Sequence, residues 1–334
     1  MKTLSLTFLV QIMALLLTAC SAPPKLDARI EITVEQNRSR ADFPNSILPL
    51  LEKKWAHGEQ DCMATPDTAV DVYQHSETSY ILRVSKCISF EAPFLYLLIG
   101  DDKVLLVDTG PTDDEVMLPL YQTVKRLVSK HKDSESKPWL VVHTHSHGDH
   151  YAGDAQFNGL AGVTLVSPKA KQMAQFFGFD NWPKGQATIE LGNRTLTVFP
   201  IPGHQEESIA IYDPETQWLL TGDTVYPGLI YVKHWQDYRD SIQRLYQFTN
   251  EQPVSAVLGC HIEMTTTPGL YYPIRTLYQP NEAPLALSVK DLALLNDQLK
   301  STPQPTEITF DNFVVMPMSG LQKQISNTAR WASQ

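Results

Sequence analysis

Residues 143–150 read HTHSHGDH, four histidines and an aspartate in eight positions, directly after the apolar run Trp139-Leu140-Val141-Val142. The apolar run reads as a buried strand, and a strand that ends in clustered imidazoles constrains the fold more than any other stretch of the chain. Imidazoles gain little from burial and repel one another once protonated, so four of the chain's ten histidines in one loop point to a shared cation. Side chains at i and i+2 of an extended segment project the same way. His145 and His147 can therefore grip one ion, which leaves Asp149 and His150 placed for a second. His143 falls outside the H-x-H-x-D-H spacing and is expected to support the site rather than ligate. No H-E-x-x-H puts ligands on a helix face, and no G-x-S-x-G offers a serine nucleophile.

Strands and helices interleave around this loop. Tyr80–Val84, Phe94–Ile99 and Val104–Val107 are short β-branched and aromatic runs, the middle one followed by Gly100-Asp101-Asp102, which predicts a hairpin entering a sheet. Within Glu115–Lys130, Val116, Leu120, Val124, Leu127 and Val128 are spaced as one buried helical stripe. Further strands are expected at Leu140–Val142, Val163–Val166, Ser208–Tyr212, Trp218–Leu220 and Ala256–Leu258, with a pair inside Ala187–Ile201 about Gly192-Asn193. Helices are expected at Ala152–Phe157, Pro168–Phe177 and Tyr238–Phe248, then a tail helix over Ala283–Lys300 and a strand over Glu307–Val315. The alternation predicts an α/β fold whose sheets are covered by helices.

The N-terminus reads as an address. Lys2 and the apolar stretch Leu4–Leu17 form the core of an export signal, and Leu17-Thr18-Ala19-Cys20 looks like a bacterial lipobox. Cys20 is then a lipidated anchor on the periplasmic side, with Ser21 resembling the outer-membrane sorting class; an ordinary cut near Ala19 or Ala22 is the alternative. Of the remaining cysteines, Cys260 abuts His261, so Cys62–Cys87 is the expected disulfide of an oxidising compartment. A formal net charge of −10 with no basic run argues against nucleic acid as substrate and leaves a small molecule. The expected organisation is a signal peptide at 1–19, a tether and irregular extension at 20–75, a catalytic domain at 76–280 and a helical and irregular extension at 281–334. Oligomeric state has no sequence signal.

Four further segments complete a family pattern. Leu105-Leu106-Val107-Asp108-Thr109-Gly110, Pro202-Gly203-His204, Leu220-Thr221-Gly222-Asp223-Thr224 and Gly259-Cys260-His261 follow in the order that, with HTHSHGDH, resembles the metallo-β-lactamase superfamily over roughly residues 75 to 265. The resemblance implies a four-layer αββα sandwich with two zinc ions at one edge, iron or manganese being substitutes. It assigns His145, His147 and His204 to one ion and Asp149, His150 and His261 to the other, with Asp223 bridging. It also implies that Asp108 braces the metal loop by accepting a hydrogen bond from a ligand imidazole or loop backbone.

The chemistry expected of such a pair is hydrolysis by a metal-bound hydroxide, with Asp149 orienting it or passing its proton onward. Asp223 stands where β-lactamase branches of the family carry Cys or Ser, so an ester, lactone or thioester substrate is expected first and a β-lactam second. A non-catalytic zinc-stabilised binding lipoprotein is the alternative from another class. Tyr226, Tyr231, His234 and Trp235 are candidates to wall the substrate pocket, and Arg275 to clamp a carboxylate.

Overall fold

Every residue of the strands Ser79–Val84, Phe94–Ile99 and Ile209–Asp213 is buried, the mark of sheets covered on both faces. The structure, a computed structural model, describes residues 31–34, 39–64, 67–131 and 136–332; the leader and Cys20 lie outside them. Strand β1 (Glu31–Val34) and the short helix α1 (Leu48–Glu52) precede a six-stranded sheet whose strands lie side by side in chain order. They are β2 (Val70–Gln74), β3 (Ser79–Val84), β4 (Phe94–Ile99), β5 (Val104–Val107), β6 (Trp139–Val142) after helix α2 (Leu120–Val128), and β7 (Val163–Leu165) after the one-turn helix α3 (Gly148–Tyr151). Helix α4 (Ala170–Phe177) leads to a second sheet with β8 (Ala187–Glu190), β9 (Thr195–Pro200), β10 (Ile209–Asp213) and β11 (Trp218–Gly222). The chain then leaves through β12 (Leu229–Val232) and helix α5 (Trp235–Glu251), and returns as β13 (Ala256–Gly259) beside β11, with β14 (Ala286–Leu287) at that edge. Helix α6 (Val289–Ser301), β15 (Glu307–Phe310), β16 (Val314–Pro317) and helix α7 (Gly320–Ala332) follow, and β1-β15-β16-β12 make a third sheet.

Side-chain alternation divides the core into layers. Ile81, Tyr96, Leu105 and Val142 of the first sheet meet Val198, Ile211, Trp218 and Leu258 of the second, and the opposite faces pack on helices. Leu82, Leu97 and Leu106 face Leu120, Val124 and Leu127 of α2, whereas Ala210, Leu219 and Val257 face Ile242 and Leu245 of α5 and Leu292 and Leu295 of α6. Each fully buried Leu, Ile or Val contributes about 1.5–3 kcal/mol. The result is the expected α/β architecture of two mixed sheets flanked by helices. Arg194 also ties the sheets together: its guanidinium donates to both Asp213 oxygens, to Ser79 Oγ and to the Thr78 and Ile99 carbonyls.

The structure departs from the sequence reading where local pattern is weak. Residues 20–75 do not end as an irregular extension: Phe43, Ile47, Leu50 and Trp55 join the inter-sheet core and β2 is an edge strand of the first sheet. Helix α2 begins only after Pro119, which lacks the N–H an earlier start would use, and Asp114 Oδ1 holds Val116 and Met117 in a turn instead. Val116, expected inside, is exposed. In the tail, Ser288 and Asp291 cap α6 reciprocally, so the helix starts after β14 rather than at Ala283. The strand expected over Glu307–Val315 is a hairpin, with Phe310 N donating to Phe313 O. No helix of the described residues is long and apolar enough to cross a membrane.

Candidate metal centre

Parallel pairing gathers the candidate ligands at one edge. β5 pairs with β6 and β11 with β13, so the loops that follow Val107, Val142, Gly222 and Gly259 emerge together. His145 and His147 come from the β6 loop, Asp149 and His150 from α3, His204 from the β9–β10 turn, Asp223 from the end of β11 and His261 from the end of β13. Two glycines permit the approach. At Gly203 (φ +147°) a Cβ would stand 2.5 Å from Tyr238 Cα, and at Gly222 (φ +54°) 2.7 Å from Thr144 Cβ.

Asp108 is the brace. It sits at φ +68°, a left-handed conformation uncommon for a non-glycine residue, immediately after β5. Its Oδ1 accepts from Thr144 N at 2.8 Å, and its Oδ2 accepts from Thr144 Oγ1 at 2.9 Å and pairs with His150 Nδ1 at 2.9 Å. It thus holds both a candidate ligand and the loop backbone. His143 is fully buried behind the loop, with Nδ1 3.2 Å from the His150 carbonyl and Nε2 3.2 Å from Asp154 Oδ1, outside both ligand groups.

Two quartets share one carboxylate. The first comprises His145, His147, His204 and Asp223, and the second Asp149, His150, His261 and Asp223. His147 Nδ1 is 3.0 Å from His145 Nε2 and 3.1 Å from His204 Nε2, while Asp223 Oδ2 is 3.7 and 3.6 Å from the latter two. In the second group His150 Nε2 and His261 Nε2 are 3.1 and 3.2 Å from Asp149 Oδ2, and 3.5 and 3.2 Å from Asp223 Oδ1. Ligand atoms about 2.0–2.1 Å from a tetrahedral zinc stand about 3.3 Å from one another, and these spacings bracket that value.

The far ring nitrogens have partners that turn the near ones inward. His204 Nδ1 donates to the Tyr231 carbonyl at 2.8 Å, His261 Nδ1 donates to the Glu91 carbonyl at 2.9 Å, and His150 Nδ1 faces Asp108. Each such bond leaves the Nε2 lone pair aimed at the centre. Among the described residues, the buried His150 Nε2 and Asp223 Oδ1 make contacts of 3.1–3.5 Å within the cluster but no well-formed hydrogen bond, the condition that a cation between them relieves. The donor set fits a zinc pair.

Electrostatics separates the two halves. Burial, helped by the neighbouring His204, pushes His147 down to about 3, and burial likewise holds His145 and His204 below the ordinary histidine value, so all three are neutral at neutral pH. Burial also disfavours charge on His150 and His261, but the Asp149 and Asp223 carboxylates outweigh it and raise both. The same imidazoles overcome burial at Asp149 and Asp223 and hold those carboxyls well below their usual range.

The proposed pocket residues divide. Trp235, the first residue of α5, packs in the outer layer, and its Nε1 donates to the Thr302 carbonyl. Tyr226 is buried beside the His261 ring, with its hydroxyl donating to the Leu229 carbonyl. Tyr231 is half-buried on β12, His234 lies 3.1 Å from Glu206 Oε1, and Arg275 is exposed on the loop after Tyr272. Sequence reading missed Gln205, whose amide meets His147 Nε2 at 2.7 Å, and Glu207, which accepts from Ser146 N and Oγ between the two loop histidines. The polar run Gln205-Glu206-Glu207 directly after His204 was the available signal.

A family model described as the metallo-beta-lactamase superfamily matches residues 89–257, with His261 just beyond that stretch. Among curated proteins, the chain is 28% identical over 209 residues to an acyl-coenzyme A thioesterase MBLAC2 of Gallus gallus, covering 53% of this chain and 75% of that one. It is 28% identical over 141 residues to a hydroxyacylglutathione hydrolase of Hyphomonas neptunium, covering 40% of this chain and 53%, about half, of that enzyme. Among solved structures, a metallo-beta-lactamase from Pontibacter korlensis aligns with a TM-score of 0.44 at 18% identity, over 69% of this chain and 99% of that one.

Proposed function

The chain belongs to the metallo-β-lactamase superfamily, and from that membership and the geometry of its paired quartets we propose a dinuclear zinc-dependent hydrolase acting on an ester, lactone or thioester. One observation carries the reading: the two oxygens of Asp223 face different groups, Oδ2 toward His145 and His204 and Oδ1 toward His150 and His261. His145 Nε2, His147 Nδ1, His204 Nε2 and Asp223 Oδ2 would hold one ion, and Asp149 Oδ2, His150 Nε2, His261 Nε2 and Asp223 Oδ1 the other. Zinc ions paired in this way lower the pKa of a water toward about 7 and polarise a scissile carbonyl. Asp149, whose Oδ2 faces His150 and His261, would help hold the second ion and orient a water beside it, while Asp108 keeps His150 in one orientation.

The relatives' names, an acyl-coenzyme A thioesterase and a hydroxyacylglutathione hydrolase, favour an acyl ester or thioester over a β-lactam. Asp223 in the bridging position supports the same choice. The leader, the lipobox-like Leu17–Cys20 and the Cys62–Cys87 disulfide support an exported bacterial lipoprotein anchored through Cys20.

The test is zinc-loaded protein assayed against thioester, ester, lactone and β-lactam substrates, with bound metal measured in parallel. Thioester or ester turnover is expected, and Asp223→Ala should lose metal and at least ~100-fold in activity together. Full turnover by that variant would sink the two-metal assignment. Turnover of β-lactams alone would select the antibiotic-hydrolysing alternative, and a metal-replete protein inert on the whole panel would select a binding lipoprotein.

A further inference from the structure

Three features meet at one end of the third sheet. β1 pairs in parallel with β15, so that Glu31 stands beside Glu307, and the antiparallel register that sets Ile308 opposite Val315 carries Glu307 to Met316. Met316 in turn pairs with Tyr231 of β12. One row of the sheet therefore runs Glu31, Glu307, Met316, Tyr231, three strand spacings or about 14–15 Å from end to end. At Tyr231 the backbone carbonyl accepts from His204 Nδ1, which sets this end of the sheet against the metal edge.

Helix α7 departs from the same end. β16 finishes at Pro317, beside Val232, and α7 starts at Gly320 and reaches the turn that carries His204, where Gln205 Nε2 donates to Ser326 Oγ at 3.2 Å. Leu321 and Ile325, one helical turn apart and so on one flank, are 68% and 60% exposed, whereas Lys323 and Ser326 are half-buried. Single exposed aliphatic residues are ordinary; a pair on one helical flank, at the sheet end where an acylated chain would enter, is the pattern of a segment that rests on lipid. Cys20 precedes Glu31 by eleven residues, and eleven residues reach at most about 40 Å whatever path they take. A lipid on Cys20 would hold the metal edge within that distance of a bilayer.

We propose that the α7 flank bearing Leu321 and Ile325 docks on the bilayer that holds the Cys20 lipid, so that the metal edge faces the membrane. This rests on the reading of Cys20 as a lipid anchor. The anchor makes a small contact sufficient, because a tethered second contact acts at an effective concentration near millimolar and needs little affinity of its own. Electrostatic attraction does not supply the contact: the formal net charge is −10, and Glu31 and Glu307 lie in the row itself. The substrates that match are acyl esters or thioesters whose hydrocarbon part resides in the leaflet.

The experiment uses the full chain from a bacterium that lipidates it, with Cys20 checked by mass spectrometry, in vesicles of phosphatidylethanolamine and phosphatidylglycerol. Ile325→Cys carries a polarity-sensitive fluorophore, Cys260 being buried away from the label. Lys103→Cys is the control, an exposed position at the opposite end of the strand that delivers Asp108. Nitroxide-bearing lipid should quench the label at 325 at least ~5-fold more than the label at 103, as strongly in high salt as in low. Leu321→Gln/Ile325→Gln should keep turnover of a soluble short-chain thioester and lose about tenfold on a long-chain ester embedded in the vesicles. Equal quenching at the two positions, quenching abolished by salt, or a double variant that acts on the embedded ester as wild type does would overturn the proposal. Hydrogen exchange needs no label: residues 320–327 should exchange more slowly in the vesicle-bound protein than in Cys20→Ser in solution, and equal exchange would also overturn it. Neither the quenching nor the exchange depends on turnover, so both decide the matter even for an enzyme inert on every ester. An unmodified Cys20 would overturn the anchor reading and the docking with it, an outcome distinct from a lipidated protein whose α7 stays in water.

Discussion

At the scale of single residues, clustering told more than identity. His145, His147, Asp149 and His150 announce themselves because polar, titratable groups directly after a buried strand have few other uses. What each does with its second ring atom was not legible, since those partners are a carbonyl at Glu91, a carbonyl at Tyr231 and an amide at Gln205, any of which could belong to any residue type's backbone or to an ordinary polar turn. The position of Tyr226 directly after Asp223-Thr224-Val225 suggests a pocket wall; its hydroxyl donates to the Leu229 carbonyl and its ring lies beside that of His261. Tyr226→Phe should therefore cost about 1 kcal/mol of stability by leaving that carbonyl unpaired, with substrate preference unchanged. Denaturant unfolding and relative kcat/KM over two substrates check this; a shift in preference at unaltered stability would restore the pocket role.

Among the elements, strands and helices with a strong period were readable almost to the residue, and those fixed by distant partners were not. β4 and β5 coincide with their apolar runs, whereas β12 owes its existence to parallel pairing with β16, more than eighty residues later in the chain. The segment before β2 has no period, and its apolar residues Phe43, Ile47, Leu50 and Trp55 earn their burial one at a time. The disulfide expected because Cys260 abuts His261 is present between Cys62 and Cys87, with Cys260 free and buried. It links this segment to the loop that carries Glu91, the carbonyl partner of His261. Replacing both cysteines by serine should cost about 2–4 kcal/mol. Affinity for the ion that His261 would hold should fall with it, because the loop that orients His261 is loosened. Denaturant midpoints and chelator competition read the two effects separately, and unchanged metal affinity would uncouple the bridge from the site.

The whole molecule sets the remaining properties. Candidate ligands come from both sheets, so an ion pair bound there cross-links them; at a thousandfold excess over Kd each ion adds about 4 kcal/mol. Chelation should lower Tm accordingly, and a Tm indifferent to metal content would mean that the sheets are not joined there. Lys86 gives a pH signature. It is buried, donates to the Phe90 carbonyl at 3.2 Å, and its pKa is lowered to about 8 by burial and by Arg83, against the pull of Glu282, Glu263 and Asp67. Between pH 8 and its ordinary value of 10.5 the unfolded chain holds a proton that the native state has released, so stability rises with pH across that window. Lys86→Met should flatten the rise, measured as unfolding free energy from pH 7.5 to 10; an equal slope in both proteins would assign the rise elsewhere. The sequence by itself determined the alternation of strand and helix, the kinds of ligand and the loops that carry them, because hydrophobic period and clustered titratable groups act over a few residues. Only the tertiary structure decided that the oxygens of Asp223 face separate groups, that His261 is oriented by a carbonyl 170 residues away and that Gln205 joins His147 to the last helix. Those arrangements arise where sheet edges meet, and no local pattern encodes which distant loop arrives there.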